Sequence, residues 1–227
     1  MRKLILTVCT LVALNAANAQ DFKHSVSLSF GAATPLNDFA STDLNNANAG
    51  GATDGICIDL EYKGFLFHEK IGLLALVKNQ FNGVDKDYIA LQTPQNTTSS
   101  VTDWSLSGYM AGAFYDVKVG EKGFIHPKLA FGILDANTPE WKIENGKNVL
   151  VKIESANGVA FSSLFGADFG LNLGKFKLQA QYDFILANPQ FNTKAVDGSG
   201  TLIGSSTINQ KMQTYNVKVA LGYNFGS

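Results

Sequence analysis

Apolar and polar residues alternate along much of the chain, and the alternation is clearest over residues 217–225. There every odd position is apolar or aromatic, and every even position is small or polar. A repeat of two residues is the side-chain period of a β-strand, in which neighbouring side chains point to opposite faces. This segment is therefore predicted to be a strand with one apolar face and one polar face.

The same alternation recurs along the chain in eight segments. The third is the weakest, because Leu74 and Leu76 fall on its polar face. We therefore predict an all-β protein of eight strands. The strands are expected at about residues 23–33, 53–64, 71–81, 103–119, 124–134, 158–173, 176–186 and 212–225.

The connections between the predicted strands alternate between short and long. The short ones are residues 64–70, 120–123 and 174–175, and the long polar ones are residues 34–52, 82–102, 135–157 and 187–211. Short turns on one rim and long loops on the other are typical of an even-stranded antiparallel barrel that spans a membrane. The pattern therefore predicts an up-and-down transmembrane β-barrel with three turns and four loops.

The third long loop contains a sequence typical of a β-hairpin. Residues 141–154 flank Asn145-Gly146, a dipeptide favoured in type I′ turns. We expect this hairpin to extend strands five and six above the lipid. The Gly- and Ser-rich tract 198–206 of the fourth loop, in contrast, looks flexible.

The position of the charges distinguishes two kinds of eight-stranded barrel. A soluble barrel of the lipocalin type turns charges to water and holds an apolar ligand inside, whereas a membrane barrel turns its apolar face to lipid. An eight-stranded interior is only just wide enough for side chains, so the large, uniform apolar face fits the outside better. We therefore predict that the polar face lines the interior. Its charges are Asp59, Glu61, Lys63, Lys78, Asp116, Lys118, Lys128, Asp168, Lys177, Asp183 and Lys218.

The amino terminus has the pattern of an export signal. Arg2 and Lys3 precede an apolar run at residues 4–14, and Ala17-Asn18-Ala19 follows it. This order is typical of a cleavable secretory signal peptide, and the run is shorter than the ~20 residues of a membrane-spanning helix. We predict a signal peptide at residues 1–19 and one barrel domain at residues 20–227.

Composition excludes several other classes of protein. Without Arg2 and Lys3 the chain has 16 Lys and Arg against 19 Asp and Glu, so no basic surplus favours nucleic acid. One cysteine, Cys57, remains after the predicted cleavage, so a domain held by internal disulfides is excluded. Cys57 is expected to be a small side chain that faces the interior.

Several predicted strands contain short stretches rich in aromatic residues and glycine. The stretches are Tyr109-Met110-Ala111-Gly112-Ala113-Phe114-Tyr115, Gly123-Phe124-Ile125-His126-Pro127 with Leu129-Ala130-Phe131-Gly132, Phe165-Gly166-Ala167-Asp168-Phe169-Gly170, and Leu221-Gly222-Tyr223-Asn224-Phe225. On these the chain resembles the small eight-stranded outer-membrane β-barrel family, also described as porin-like or opacity-type. One departure is that Gly226-Ser227 follow Phe225, whereas members of the family usually end on the aromatic residue.

The resemblance implies a setting for the chain. It implies residence in the outer membrane of a Gram-negative bacterium after Sec-type export. The expected partners are outer-membrane lipid and, during assembly, periplasmic chaperones and the outer-membrane insertion machinery. We also expect a monomer that binds no nucleic acid.

The residues that carry chemistry give no sign of a catalytic site. The interior carboxylates and lysines are nearly balanced, which favours a plug of ion pairs over a charge-selective pore. His24, His68 and His126 are expected near the short turns, whereas an enzyme that modifies outer-membrane lipid would need its general base at the loop rim. No clustered His or Cys pattern supports a metal. We predict no catalytic, cofactor-binding or metal site.

These inferences lead to one functional expectation and two alternatives. The expected role is a non-enzymatic outer-membrane barrel, a scaffold that presents four surface loops for binding or adhesion, because recognition concentrates on loops held by a rigid frame. The first alternative is a narrow porin-like channel for small solutes. The second is a lipid-modifying outer-membrane enzyme. Loop composition does not identify a ligand.

Overall fold

A computed structural model describes residues 24–46, 48–67, 70–146 and 148–225. The predicted signal peptide, His68 and Gly226-Ser227 lie outside these residues. Within them the chain is mainly strand, with a single 3-10 turn at Asn37–Phe39 and one short helix, α1, at Lys86–Gln92. None of the described helices is long and apolar enough to cross a membrane.

Fourteen strands follow one another in the described part of the chain. They are β1 (His24–Leu36), β2 (Ala52–Phe67), β3 (Ile71–Val84), β4 (Thr98–Val101), β5 (Trp104–Tyr115), β6 (Val117–Val119), β7 (Gly123–Asn137), β8 (Trp141–Asn145), β9 (Asn148–Ile153), β10 (Asn157–Leu173), β11 (Phe176–Ala187), β12 (Gln190–Asp197), β13 (Leu202–Asn209) and β14 (Met212–Phe225). The eight long ones lie at the predicted positions and form the barrel. The predicted fourth strand ends early, because the chain turns at Asp116, whose N–H donates to the Lys70 carbonyl at 2.7 Å.

The barrel is closed and antiparallel throughout. Its strands follow the order β1, β2, β3, β5, β7, β10, β11 and β14, and β14 pairs with β1 from His24 opposite Phe225 to Leu36 opposite Gln213. Closure leaves the barrel without a free edge, so the backbone groups of the strands are satisfied between neighbours. The predicted eight-stranded up-and-down barrel is confirmed.

The outer surface of the barrel is apolar, as predicted. Large apolar side chains point outward and are more than half exposed at Leu28, Phe30, Phe161, Val219 and Leu221. A soluble barrel would place these side chains inside, so the lipocalin-type alternative is excluded. A closed barrel with this surface is suited to a lipid environment.

The interior differs from the prediction in two respects. Leu74 and Leu76, which weakened the third segment, are buried inside with other apolar side chains, so one side of the interior is apolar. They fall there because the strand alternation places them on the inner face, where neighbouring β5, β7, β10 and β11 supply matching apolar groups. Lys118, predicted to be interior, is exposed beside the turn, because β5 ends before it. The other members of the interior cluster are Met110, Phe114, Ala130, Leu164 and Ile185.

The two rims of the barrel differ as predicted. The connections from β2 to β3, from β5 to β7 and from β10 to β11 are short in sequence, and we call this end the turn rim. The connections at residues 37–51, 85–103, 138–156 and 188–211 are long, and we call their end the loop rim.

Candidate functional site

Three of the four long loops combine into a second sheet at the loop rim. Its five strands lie in the order β13-β12-β9-β8-β4, and every pair is antiparallel. Strand β4 comes from the second loop, β8 and β9 from the third, and β12 and β13 from the fourth. We call this structure the loop sheet. The predicted Asn145-Gly146 hairpin is confirmed as β8 and β9, but it belongs to the loop sheet and does not extend strands five and six.

Hydrogen bonds and ion pairs join the strands of the loop sheet near β8. The backbone N–H of Thr102 donates to the Glu140 carbonyl at 3.0 Å, and the Glu140 N–H donates to Thr102 Oγ1 at 2.8 Å. The Glu140 carboxylate contacts Lys152 Nζ at 2.9 Å and Lys142 Nζ at 3.0 Å. Hydrogen bonds lower the pKa of Glu140, and the bond from Lys152 has a larger effect than the bond from Lys142. Glu140 therefore links β8 with β9 while it remains partly exposed to solvent.

The tip of the β12–β13 hairpin is also ordered by hydrogen bonds. Asp197 Oδ1 accepts from Ser199 Oγ at 2.6 Å and from the Thr201 N–H at 2.9 Å, and these bonds lower the pKa of Asp197. Gly200 has a positive φ of 86°, which glycine adopts without strain. In the tract 198–206, predicted to be flexible, residues 198–201 therefore form a closed turn and residues 202–206 belong to β13.

The described residues of the first long loop contribute no strand to the loop sheet and pack beside it. Trp104 Nε1 donates to the Gly50 carbonyl at 3.2 Å, and Gln210 Nε2 donates to the Asn48 carbonyl at 2.9 Å. The Asp85 side chain caps α1 by accepting from the Tyr88 N–H at 2.8 Å, and the Asp85 N–H donates to the Gly51 carbonyl at 2.8 Å. The loops therefore hold one another through backbone groups as well as side chains.

An apolar cluster fills the mouth of the barrel below the loop sheet. Trp104 contacts Phe39 and Phe191 edge-on, with ring centroids 5.3 and 5.9 Å away. Phe39 and Phe191 are fully buried. We call the cluster the apolar cap, and it consists of Phe39, Ala52, Trp104, Leu106, Leu134, Ala136, Ala156, Phe191 and Met212.

Below the apolar cap, four lysines and four carboxylates form a continuous ionic network, and none of the eight is more than 5% exposed. Lys128 lies at its centre, with Nζ 3.0 Å from Glu61, 2.8 Å from Asp168 and 3.1 Å from Asp183. The remaining ion pairs are Lys63 with Glu61 and Asp168, Lys78 with Asp59, and Lys218 with Asp59 and Asp183. The predicted plug of ion pairs is therefore present, and its charges balance.

The described histidines lie at the turn rim, as predicted. His126 Nε2 is 2.9 Å from Asp116 Oδ1, and its ring stacks on Phe124 with centroids 4.3 Å apart. His24 Nδ1 is 2.6 Å from the Tyr62 hydroxyl. Both histidines are therefore at the opposite end of the barrel from the loop sheet.

Cys57 is buried in the interior and lies 3.7 Å from the Ala32 carbonyl, as expected for an inward-facing residue. Within the described ranges, no three His, Cys, Asp or Glu side chains are grouped as metal ligands. The absence of a catalytic, cofactor or metal site stays a prediction.

Sequence reasoning missed three strands of the loop sheet, β4, β12 and β13. β4 has four residues, which is too few for the alternation to stand out, and β13 is exposed on both faces. β12 does alternate, but Phe191 is its one buried side chain. The β12–β13 hairpin has one signal in the sequence. The turn-forming residues Asp197-Gly198-Ser199-Gly200 separate two segments that contain no proline, 190–196 and 201–209.

Comparison with protein-family models gives no match, and comparison with curated protein sequences gives none either. Among solved structures, a major outer membrane protein from Thermus thermophilus is 11% identical with a TM-score of 0.61, over 90% of this chain and 99% of that chain. The outer membrane protease OmpT from Escherichia coli is 10% identical with a TM-score of 0.51, over 91% and 97%. Ail, the attachment invasion locus protein of Yersinia pestis, is 14% identical with a TM-score of 0.48, over 89% and 98%.

The likeness to the Thermus thermophilus protein and to OmpT extends over nearly the whole of all three chains. Together with the closed eight-stranded barrel, it confirms the predicted resemblance to outer-membrane β-barrels at the level of the fold.

Proposed function

We propose that this protein is a non-enzymatic outer-membrane barrel that binds a partner at the cell surface through the loop sheet. The observation that carries the proposal is the five-stranded sheet that three loops build on top of a closed, filled barrel. In bacterial barrels the long loops face the outside of the cell and the short turns face the periplasm. A sheet anchored on a rigid frame presents its side chains and edges in fixed positions, which favours recognition.

One edge of the loop sheet supports a specific mode of binding. Among the described strands, β13 pairs with β12 alone, and Leu202 and Ile203 are more than half exposed. Proteins usually protect an exposed edge with charged residues or proline, and residues 198–209 contain neither. The pairing of β13 with β12 has one irregularity, at Ile203, and is regular from Gly204 to Asn209. An open edge of this kind accepts an extended peptide segment through backbone hydrogen bonds. We therefore propose a protein partner that adds a strand to β13.

The proposal is tested on cells that display the protein, by measuring their retention on immobilised mucin, collagen and fibronectin. We expect wild-type cells to be retained on at least one of these proteins. Ile203→Lys should reduce retention at least tenfold, because a lysine on the edge disfavours strand addition. Leu44→Lys is the matched control, since Leu44 is similarly exposed but lies in the first loop. It should leave retention unchanged.

Three outcomes would contradict the proposal. The first is that wild-type cells are retained on none of the three proteins. The second is that wild-type and Ile203→Lys cells are retained equally. The third is that Ile203→Lys and Leu44→Lys reduce retention equally. A β13-dependent dimer without retention would replace the external partner by a second copy and overturn the predicted monomer. Heat-dependent migration on a detergent gel checks that each variant forms the barrel.

The non-enzymatic part of the proposal has a separate test. It is supported by the position of His24 and His126 at the turn rim, away from the leaflet that the loops contact. Cells that overproduce the protein should contain lipid A of unchanged mass. A mass shift of lipid A that corresponds to the gain or loss of an acyl chain would favour the lipid-modifying enzyme.

A further inference from the structure

The turn rim contains a cavity that opens into the barrel. Its volume is about 310 Å³, which is at the small end of the ~300–1,000 Å³ range of ligand pockets. Ser25, Lys63, His126, Lys177 and Asn224 are among the residues that line it. We call this cavity the vestibule. It lies at the opposite end of the barrel from the loop sheet, so its role is independent of the proposed surface binding.

Lys177 is the unusual residue of the vestibule. Its side chain is 3% exposed, and its ammonium donates to Ser25 Oγ at 2.6 Å. The ammonium also lies 6.0 Å from the centre of the Phe124 ring. Within the described residues it forms no ion pair, whereas each of the other four buried lysines has a carboxylate within 4.0 Å. Lys177 is therefore a buried positive charge outside the balanced ionic network.

No described carboxylate of the lining forms an ion pair with Lys177 within 4.0 Å. Among the described lining residues the one carboxylate is Asp116, and its Oδ1 is engaged by His126 at 2.9 Å. Lys63, also on the wall, is already paired with Glu61 and Asp168. Glu61, Asp168 and Asp116 attract Lys177 only from beyond 4.0 Å. A buried charge without an opposite charge in contact is unfavourable, so the wall beside Lys177 is electrostatically suited to an anion.

We propose that the vestibule binds the phosphate group of a small ligand, with Lys177 as its main contact. An ammonium forms strong charge-assisted hydrogen bonds with phosphate oxygens. The Ser25 hydroxyl accepts from Lys177 and keeps its own proton, which it can donate to the same phosphate. The group comes either from dissolved phosphate or from the headgroup of a phospholipid at the rim of the barrel.

The experiment follows the backbone amide shifts of Ser25, Gly174 and Asn224 in barrel purified in an uncharged maltoside detergent. One arm titrates sodium phosphate against sodium chloride at equal ionic strength, and the other adds phosphatidylglycerol to the micelles. Saturable shifts in the first arm identify dissolved phosphate as the source, and saturable shifts confined to the second identify the lipid headgroup. Either result supports the site, and flat titrations in both arms overturn it.

Variants test the role of Lys177 itself. Lys177→Met keeps the length of the side chain without its charge and should weaken binding at least tenfold. Lys175→Met, the same change at an exposed residue of the neighbouring turn, should leave binding unchanged. Equal affinities for wild type and Lys177→Met, or equal losses for the two variants, contradict the assignment.

Gly222→Ala provides a second test, which keeps the charge of Lys177. It serves in place of Lys177→Met if that variant does not form the barrel. A methyl group at residue 222 would lie 2.6 Å from Lys177 Cε and must displace this side chain. Binding should weaken severalfold, and binding at wild-type affinity contradicts the proposed position of the phosphate.

Discussion

At the scale of single residues, the barrel interior depends on charge pairing. The strand alternation forces polar side chains inward, and the narrow interior leaves them almost no water. Four lysines therefore face four carboxylates, and Lys128 contacts three of these carboxylates at once. Removing one member of a buried network leaves its partners charged and unpaired, which is more damaging than losing the contact alone.

Lys128→Met tests the network at its centre. The variant should be less stable than the wild type by about 3–5 kcal/mol, because Glu61, Asp168 and Asp183 all lose a cation. Urea unfolding of the barrel refolded into neutral lipid vesicles measures the difference. Lys175→Met, in the exposed turn, should change the free energy of unfolding by less than about 0.5 kcal/mol. Equal stabilities of the two variants would show that the network does not stabilise the fold.

At the scale of elements, each barrel strand has one face toward lipid and one toward the interior. On β14 the alternation is unbroken from Met212 to Gly222, where every even residue is buried and the odd residues point outward. The same strand pairs with β1 and β11, so Val219 lies between Phe30 and Ala180 on the outer surface. The outward side chains of β14, Tyr215, Val217, Val219, Leu221 and Tyr223, therefore belong to the apolar outer surface at successive depths.

Val219→Arg and Tyr223→Arg compare two depths on the same face of β14. Val219 is near the middle of the strand. Val219→Arg should lower the free energy of unfolding by about 2–4 kcal/mol, because an arginine at the midplane of the membrane is poorly solvated. Tyr223 is near the turn rim, where the same change should cost about 0–1 kcal/mol. The free energies of unfolding in vesicles of the two variants provide the comparison. A larger loss of stability for Tyr223→Arg than for Val219→Arg would contradict a membrane midplane near Val219.

At the scale of the whole molecule, the barrel is filled along its length and organised by layers. The loop sheet lies outermost, the apolar cap fills the loop rim, and the ionic network fills the middle. The vestibule is the described opening at the turn rim. A filled barrel is suited to hold the loop sheet and the vestibule in fixed positions at its two ends. Wide water-filled channels are instead found in barrels of about 16 strands.

Planar bilayer recordings test the filled barrel against the narrow channel. The purified protein should give no steady conductance steps, because the apolar cap and the ionic network exclude a continuous column of water. A 16-stranded porin recorded in the same bilayers is the positive control. Large, regular steps from this protein would contradict a closed interior and favour the channel.

The sequence by itself determined the barrel. Alternation with a period of two placed eight strands within a few residues of their observed bounds, and it assigned Asp59, Lys128 and Val219 to the correct faces. It could do so because the two environments, lipid and narrow interior, accept different side chains at every second position. Alternating loop lengths identified the two rims in the same way.

Only the tertiary structure decided how the loops and the interior are arranged. Strand β4 has only four residues, solvent reaches both faces of β13, and β12 buries one side chain, Phe191. The place of these strands in the loop sheet therefore depends on contacts between distant loops. Leu74 and Leu76 lie on the inner face as their place in the alternation implies, but the apolar cluster around them requires side chains from four other strands. Lys177 differs from the other buried lysines because, among the described residues, no carboxylate lies within 4.0 Å of its ammonium. This difference arises from distances across the barrel that no local pattern contains.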